Sequence, residues 1–316
     1  MTYVLPSPRR VLHVARVLRR IGQIGGLALS LASLVGCGGD LGDPSEELTA
    51  EAQAASCVAE PMLISYGSEP DQFGELRVPK GRGPHPVAVL LHGGCWTTIF
   101  GLEQMSDMGE DLTQRGIATW NVEFRRITYG GTDSGHPETF LDVGAAIDKL
   151  RTLAPIYDLD LDEVVTVGHS AGGHLGVWAA ARPNLPTTSP IRGTNPLPLS
   201  AAVSLAGVLD IADPVARGAC GTLADQLLGG TPTDVPERYA ESNPSELVPI
   251  GVRQVLIHGT ADDIIPLSSS ENYREHARDA GDHVSLKKVH NADHFDVITP
   301  TSPKWPQVRG RILSAF

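Results

Sequence analysis

The chain has 316 residues, with 25 lysines and arginines against 37 aspartates and glutamates, a formal net charge of −12 and 41% hydrophobic residues. This acidic balance excludes general nucleic-acid binding, which needs clustered cations to neutralise phosphates. With 34 glycines and 24 prolines, the composition is that of a loop-rich sheet protein, not a helical bundle or a disordered chain, and the length suits one large α/β domain.

Arg9, Arg10, Arg16, Arg19 and Arg20 precede an apolar run from Ile21 to Val35 that closes on Leu34-Val35-Gly36-Cys37. A charged front, an apolar middle and small residues before a cleavage point are the order of a secretory signal. The run is too short and too rich in glycine for a membrane-spanning helix of about 20 apolar residues. Its last four residues resemble a bacterial lipobox. That implies a signal peptide over 1–36, lipid on Cys37, and an exported protein anchored by this lipid to a membrane of the cell envelope. Residues 37–57 are acidic and small and read as a flexible tether. Cys57, Cys95 and Cys220 remain. An oxidising compartment permits one disulfide and leaves one thiol. Cys57 with Cys220 is the expected pair, because Cys95 sits in a motif described next, but spacing leaves the pairing open.

Met62 to Tyr66 and Phe73 to Val78 predict two short strands at an antiparallel edge. Pro86-Val87-Ala88-Val89-Leu90-Leu91 is continuously apolar, as a strand buried on both faces must be. It runs into His92-Gly93-Gly94-Cys95-Trp96, where glycines leave backbone N–H groups exposed and able to bind an oxyanion. A helix around Glu103 to Arg115, a strand at Ile117 to Phe124 and a glycine-rich loop from Tyr129 to Gly135 follow. Phe140, Val143, Ile147, Leu150 and Ala154 then recur at helical spacing and predict an amphipathic helix.

Val164-Val165-Thr166-Val167-Gly168-His169-Ser170-Ala171-Gly172-Gly173-His174-Leu175 reads as a β-branched strand, a sharp turn carrying a serine, and the start of a helix. Gly168 and Gly172 bracket Ser170 with residues lacking a Cβ, so strand and helix can approach closely while the serine is held at a tight turn. The first N–H groups of the helix face any negative charge forming there. An ordinary glycine-rich strand-to-helix turn has the same letters, so context decides. Ala201 to Ala206 predicts another buried strand. Residues 208–247 are irregular, with a short helix near Leu223 to Leu228, and a long insertion at this point suits a cap over a pocket. Val255-Leu256-Ile257 ends in His258-Gly259-Thr260-Ala261-Asp262-Asp263. A helix from Ser268 to Ala280, a strand near Val284 to Val289, His290-Asn291-Ala292-Asp293-His294-Phe295 and a helix from Trp305 to Leu313 complete the chain. Alternating strands and helices imply a doubly wound, mostly parallel sheet with a small cap insertion, and ligands bind at the carboxyl ends of its strands.

Nucleophilic hydrolysis needs a hydroxyl, a base, a carboxylate that orients the base, and donors for the oxyanion. Serine, aspartate and histidine follow predicted strands in that order, and from Met62 onward the chain resembles the α/β-hydrolases, in the esterase and lipase branch with His-Gly-Gly before the elbow. The resemblance implies a domain over 58–316, Ser170 as nucleophile, Asp262 as orienting acid and His294 as base. It also implies an oxyanion hole from the N–H groups of Gly94, Cys95 and Ala171, and no cofactor. Asp263 and Asp210 compete for the acid and His290 for the base; Gly259, Asp262, Ile265 and Pro266 match the loop pattern and favour Asp262. His169 and His174 flank the elbow as packing residues, although His169 and Trp96 are also candidates to line a substrate pocket. The histidines lie on separate loops without a matching ligand set, so no metal is expected. His-Gly-Gly-x-Trp with Gly-His-Ser-Ala-Gly is similar to kynurenine formamidase-like and feruloyl-esterase-like proteins. The activity implied is hydrolysis of a small or polymeric carboxylic ester, the alternatives being an arylformamidase and a non-catalytic binding lipoprotein.

Overall fold

A computed structural model describes residues 60–316. The signal sequence, Cys37, the tether and Cys57 lie outside the described residues. The strands are β1 (Met62–Ser65), β2 (Phe73–Arg77), β3 (His85–Leu91), β4 (Ala118–Val122), β5 (Leu159–His169), β6 (Ala201–Leu205), β7 (Arg253–Gly259) and β8 (Val284–Val289). They make one 8-stranded sheet in the order β1-β2-β4-β3-β5-β6-β7-β8. β2 pairs antiparallel with β1 and β4, and the pairings from β4 through β8 are parallel. The doubly wound sheet expected from the alternation is therefore the one observed.

Both faces of the parallel strands are covered, which is why these strands read as unbroken apolar runs. Successive side chains point to opposite faces: Val87, Val89 and Leu91 enter one core, Ala88 and Leu90 the other. The first core is closed by α2 (Glu138–Asp148), α3 (Leu150–Tyr157), α4 (Ala171–Ala181) and α7 (Leu267–Asp279). The second is closed by α1 (Ser106–Thr113) and α8 (Trp305–Leu313). The amphipathic pattern over 140–154 resolves into α2 and α3. Thr152 donates to the Lys149 carbonyl three residues back at 2.9 Å, which tightens the junction, and the apolar face stays buried across it.

The insertion holds α5 (Leu223–Leu228), at the expected place, and α6 (Pro236–Ser242). Proline at the first turn of α6 was the available signal. Its attachments are specific. Trp178 Nε1 donates to the Glu241 carbonyl at 3.0 Å. The N–H groups of Gly135 and His136 both reach the Leu227 carbonyl, at 3.0 and 2.9 Å. The Arg217 guanidinium donates to the Ile211 carbonyl at 2.6 Å and pairs with Asp225 at 3.0 Å.

Candidate active site

The elbow between β5 and α4 exists because two residues lack a Cβ. A Cβ on Gly168 would stand 2.0 Å from the Gly172 carbonyl oxygen, and one on Gly172 would stand 2.1 Å from that of Leu91. Ser170 takes φ 53 and ψ −118 at the head of α4, a backbone region that costs a non-glycine residue about 1–3 kcal/mol. Its N–H donates to the Leu205 carbonyl at 2.9 Å, and its carbonyl accepts from Gly173 at 2.9 Å. The strained turn is thereby over-determined by its neighbours.

Loops after β7 and β8 bring Asp262 and His294 together. His294 Nδ1–H donates to Asp262 Oδ2 at 2.7 Å, and the Asp262 side chain has 0% exposure. The carboxylate is fixed further: Oδ1 accepts the N–H groups of Ile264 and Ile265, each at 2.9 Å, and His258 Nε2 approaches Oδ2 at 3.2 Å. His258 is placed by the Ile265 carbonyl at 3.0 Å and by Ser270 Oγ at 2.8 Å. Burial raises the Asp262 carboxyl, but the hydrogen bonds from His258 and His294 and the charge on His294 outweigh it, leaving the group well below the ordinary carboxylate range.

His169 joins the two halves. Its ring centroid is 4.6 Å from that of His294, and its Nε2 lies 3.0 Å from the His294 carbonyl. Its Nδ1 lies 3.2 Å from Gln104 Oε1, which also accepts the Gly93 N–H at 2.6 Å. Burial, then the charge of His294, hold His169 far below the usual imidazole range, so a neutral ring has one proton to share between two carbonyl oxygens. The loop of His294 is thus laid against the residue preceding Ser170. No hydrogen bond joins Ser170 Oγ to His294 among the described residues; such bonds commonly tighten only in the complex with substrate.

Above the elbow, Gly94, Cys95 and Trp96 have φ of 106, 50 and 59. The N–H groups of Gly94, Cys95 and Ala171 meet no acceptor among the described residues. The loop is supported from below by His92, which stacks on Phe124 at 4.4 Å and binds Glu123 at 3.1 Å. Burial raises the Glu123 carboxyl, but His92 and Arg126 bring it below its usual value.

Other expected positions fall elsewhere. Asp263 and His290 are exposed, and Asp210 Oδ1 accepts from Asn243 Nδ2 at 2.9 Å and from the Ala212 N–H. Trp96 and His169 are buried, each with 1% exposure, and the Trp96 indole donates to His174 Nδ1 at 3.1 Å. His174 Nε2–H then donates to the Ser242 carbonyl at 2.9 Å, and burial lowers this imidazole to about 4. The expected Cys57–Cys220 pair is also corrected. Cys95 is bonded to Cys220, with Cα atoms 5.3 Å apart, because the insertion folds back over the loop after β3. Gln104 and the second contact of His258 to Asp262 were missed; both join segments with no shared local pattern. Among the described residues no His, Cys, Asp and Glu group is arranged to hold a metal ion.

Comparison with known proteins agrees with this architecture. Residues 76–276 match the family described as BD-FAE. The chain is 25% identical over 247 residues to the probable isoprenylcysteine alpha-carbonyl methylesterase ICME of Oryza sativa subsp. japonica, covering 74% of this chain and 58% of that protein. It is 27% identical over 224 residues to esterase LipQ of Mycobacterium tuberculosis, covering 67% and 51%. The chain spans about half the length of the curated relatives it matches. The α/β-hydrolase fold is shared with esterase B from Lactobacillus rhamnosis at a TM-score of 0.70 and 21% identity, over 85% of this chain and 92% of that one.

Proposed function

The chain belongs to the BD-FAE family, and we propose that it is a serine hydrolase that cleaves carboxylic esters through an acyl-enzyme. The observation that carries this reading is the buried 2.7 Å bond from His294 to Asp262, on a loop packed against the elbow of Ser170. Esterases among the matched relatives support the same reaction class.

In this mechanism Asp262 fixes the tautomer of His294 with the proton on Nδ1, so that Nε2 is the free base. It takes the Ser170 proton as Oγ attacks the ester carbonyl. The negative charge passes to the carbonyl oxygen, which rests on the N–H groups of Gly94, Cys95 and Ala171 at the head of α4. His294 then gives its proton to the departing alkoxide, and an alcohol leaves. Water repeats the sequence on the acyl group, releases the acid and restores Ser170. A mispositioned donor is costly here, since loss of one is worth about 3 kcal/mol of transition-state stabilisation.

The test is Ser170→Ala: hydrolysis of p-nitrophenyl butyrate is abolished while the circular dichroism spectrum is unchanged. A fluorophosphonate probe is expected to label Ser170 of the wild type. Absence of both activity and labelling would leave a binding protein on a hydrolase scaffold. An aryl formamide engages the same groups, and its kcat/KM relative to the ester assigns the preferred bond. The lipobox reading completes the proposal: lipid on Cys37 holds the enzyme to an envelope membrane, and Cys37→Ala is expected to shift it from the membrane fraction to the soluble one.

A further inference from the structure

We infer that Cys220 is a positioning residue for ester hydrolysis: through its bond to Cys95 it holds the oxyanion-binding loop in its working shape. This rests on the serine hydrolase reading given above. The loop is held in backbone conformations that its residues do not favour, since Cys95 and Trp96 both have left-handed φ, 50 and 59. Neighbouring residues are tied down. Thr97 donates twice to the Gly94 carbonyl, at 2.9 and 2.8 Å, the Trp96 carbonyl accepts from Ile127 at 2.9 Å, and the Trp96 indole is held by His174. Cys95 itself makes no hydrogen bond among the described residues. Its sulfur is its fixed attachment.

The other end of that attachment is firm. Cys220 is buried in the short turn Gly218–Cys220. Ala219 donates to the Ile264 carbonyl at 2.8 Å, and a Cβ on Gly218 would come within 2.2 Å of the same oxygen. Ile264 in turn donates its N–H to Asp262. Arg217, at the head of the turn, is fixed by Ile211 and Asp225. The disulfide therefore connects the loop of the oxyanion donors, through one packed turn, to the loop of the orienting carboxylate. Breaking it releases Cys95 to leave its unfavourable φ, and its N–H leaves the oxyanion site.

A trialkylphosphine can break the bond with a balanced reaction. Phosphorus gives up two electrons and becomes the phosphine oxide with oxygen from water, while the two protons of that water convert Cys95 and Cys220 to thiols. Donors that act on the oxyanion lower kcat when displaced and leave the binding of a small ester little changed. Since loss of one donor costs about 10²–10³ in kcat, displacement is expected to cost about 10- to 100-fold.

The experiment uses the full chain. Peptide mapping without reductant first establishes the Cys95–Cys220 link. Then kcat and KM for p-nitrophenyl butyrate are measured with and without the phosphine, with near-ultraviolet circular dichroism recorded on the same samples, and again for Cys220→Ser. The expected result is a fall in kcat with KM nearly constant and the spectrum retained, recovery after reoxidation, and a Cys220→Ser protein that is equally slow and indifferent to phosphine. A kcat unchanged by reduction in a folded protein overturns the inference, as does a map in which Cys95 is not joined to Cys220. Parallel loss of fold and activity assigns the bond to stability alone and overturns it too. If the oxidised wild type neither hydrolyses esters nor takes a fluorophosphonate label, the serine hydrolase reading itself falls; an active oxidised enzyme that ignores reduction refutes only the role of Cys220.

Discussion

Asp262 is buried among groups that prefer it charged, and the consequence is visible in both its chemistry and its neighbours. Because its carboxyl lies below the ordinary range in the folded chain, it contributes stability above the unfolded value of about 4, and that contribution is lost as pH falls through the lower folded value. Asp262→Asn keeps the shape but no longer enforces the required His294 tautomer, and kcat is expected to fall by about 10⁴-fold in steady-state assays. His258 works beside it. His258→Ala leaves the Ile265 carbonyl and the Ser270 hydroxyl without their imidazole partner, a loss expected at about 3 kcal/mol in urea unfolding. Asp262 and His294 were legible because each sits in a short pattern at the end of an apolar run. Gln104 was not, because its partners Gly93 and His169 lie on other segments and an isolated glutamine carries no spacing.

At the scale of elements, the close crossing of β3, β5 and α4 leaves no room for a side chain at Gly168 or Gly172. Gly172→Ala pushes a methyl into the Leu91 carbonyl and is expected to cost about 4 kcal/mol or more, read as a lowered urea midpoint or failure to fold. Gly310 in α8 is the control, since a Cβ there meets nothing within 4 Å. Gly310→Ala is expected to stabilise by up to about 1 kcal/mol through helix propensity. The parallel strands were legible because burial on both faces demands continuous apolar letters, as in Val87 to Leu91. β5 nevertheless starts earlier than its apolar run suggested, at Leu159, which pairs with His85 before a register shift; its polar middle hid that pairing. In the insertion, contacts rather than periodicity set the path. Cys220 could not be matched to Cys95 from letters alone, because their separation of 125 residues is closed only once the whole sheet is assembled.

For the molecule as a whole, the buried imidazoles of His174 and His169 make stability depend on pH. His174 falls from 6.5 to about 4 on folding, by burial, so the unfolded chain binds more protons between those values. Stability then rises with pH across that window and is lost as pH falls, by about 3 kcal/mol from this residue. His169, lowered by burial and by His294, acts in the same direction. Urea midpoints measured from about pH 7 down to about pH 4 are expected to decline steadily; a flat profile contradicts the assignment. His174 and Trp178 also grip the main chain at the end of α6. Lifting the insertion like a hinged cover would strand a buried imidazole and a buried indole without partners. Under the proposed ester hydrolysis, a cover held this way suits dissolved substrate: with tributyrin, turnover is expected to follow a smooth saturation curve through the solubility limit, without the jump that oil droplets provoke in lipases whose lids swing open.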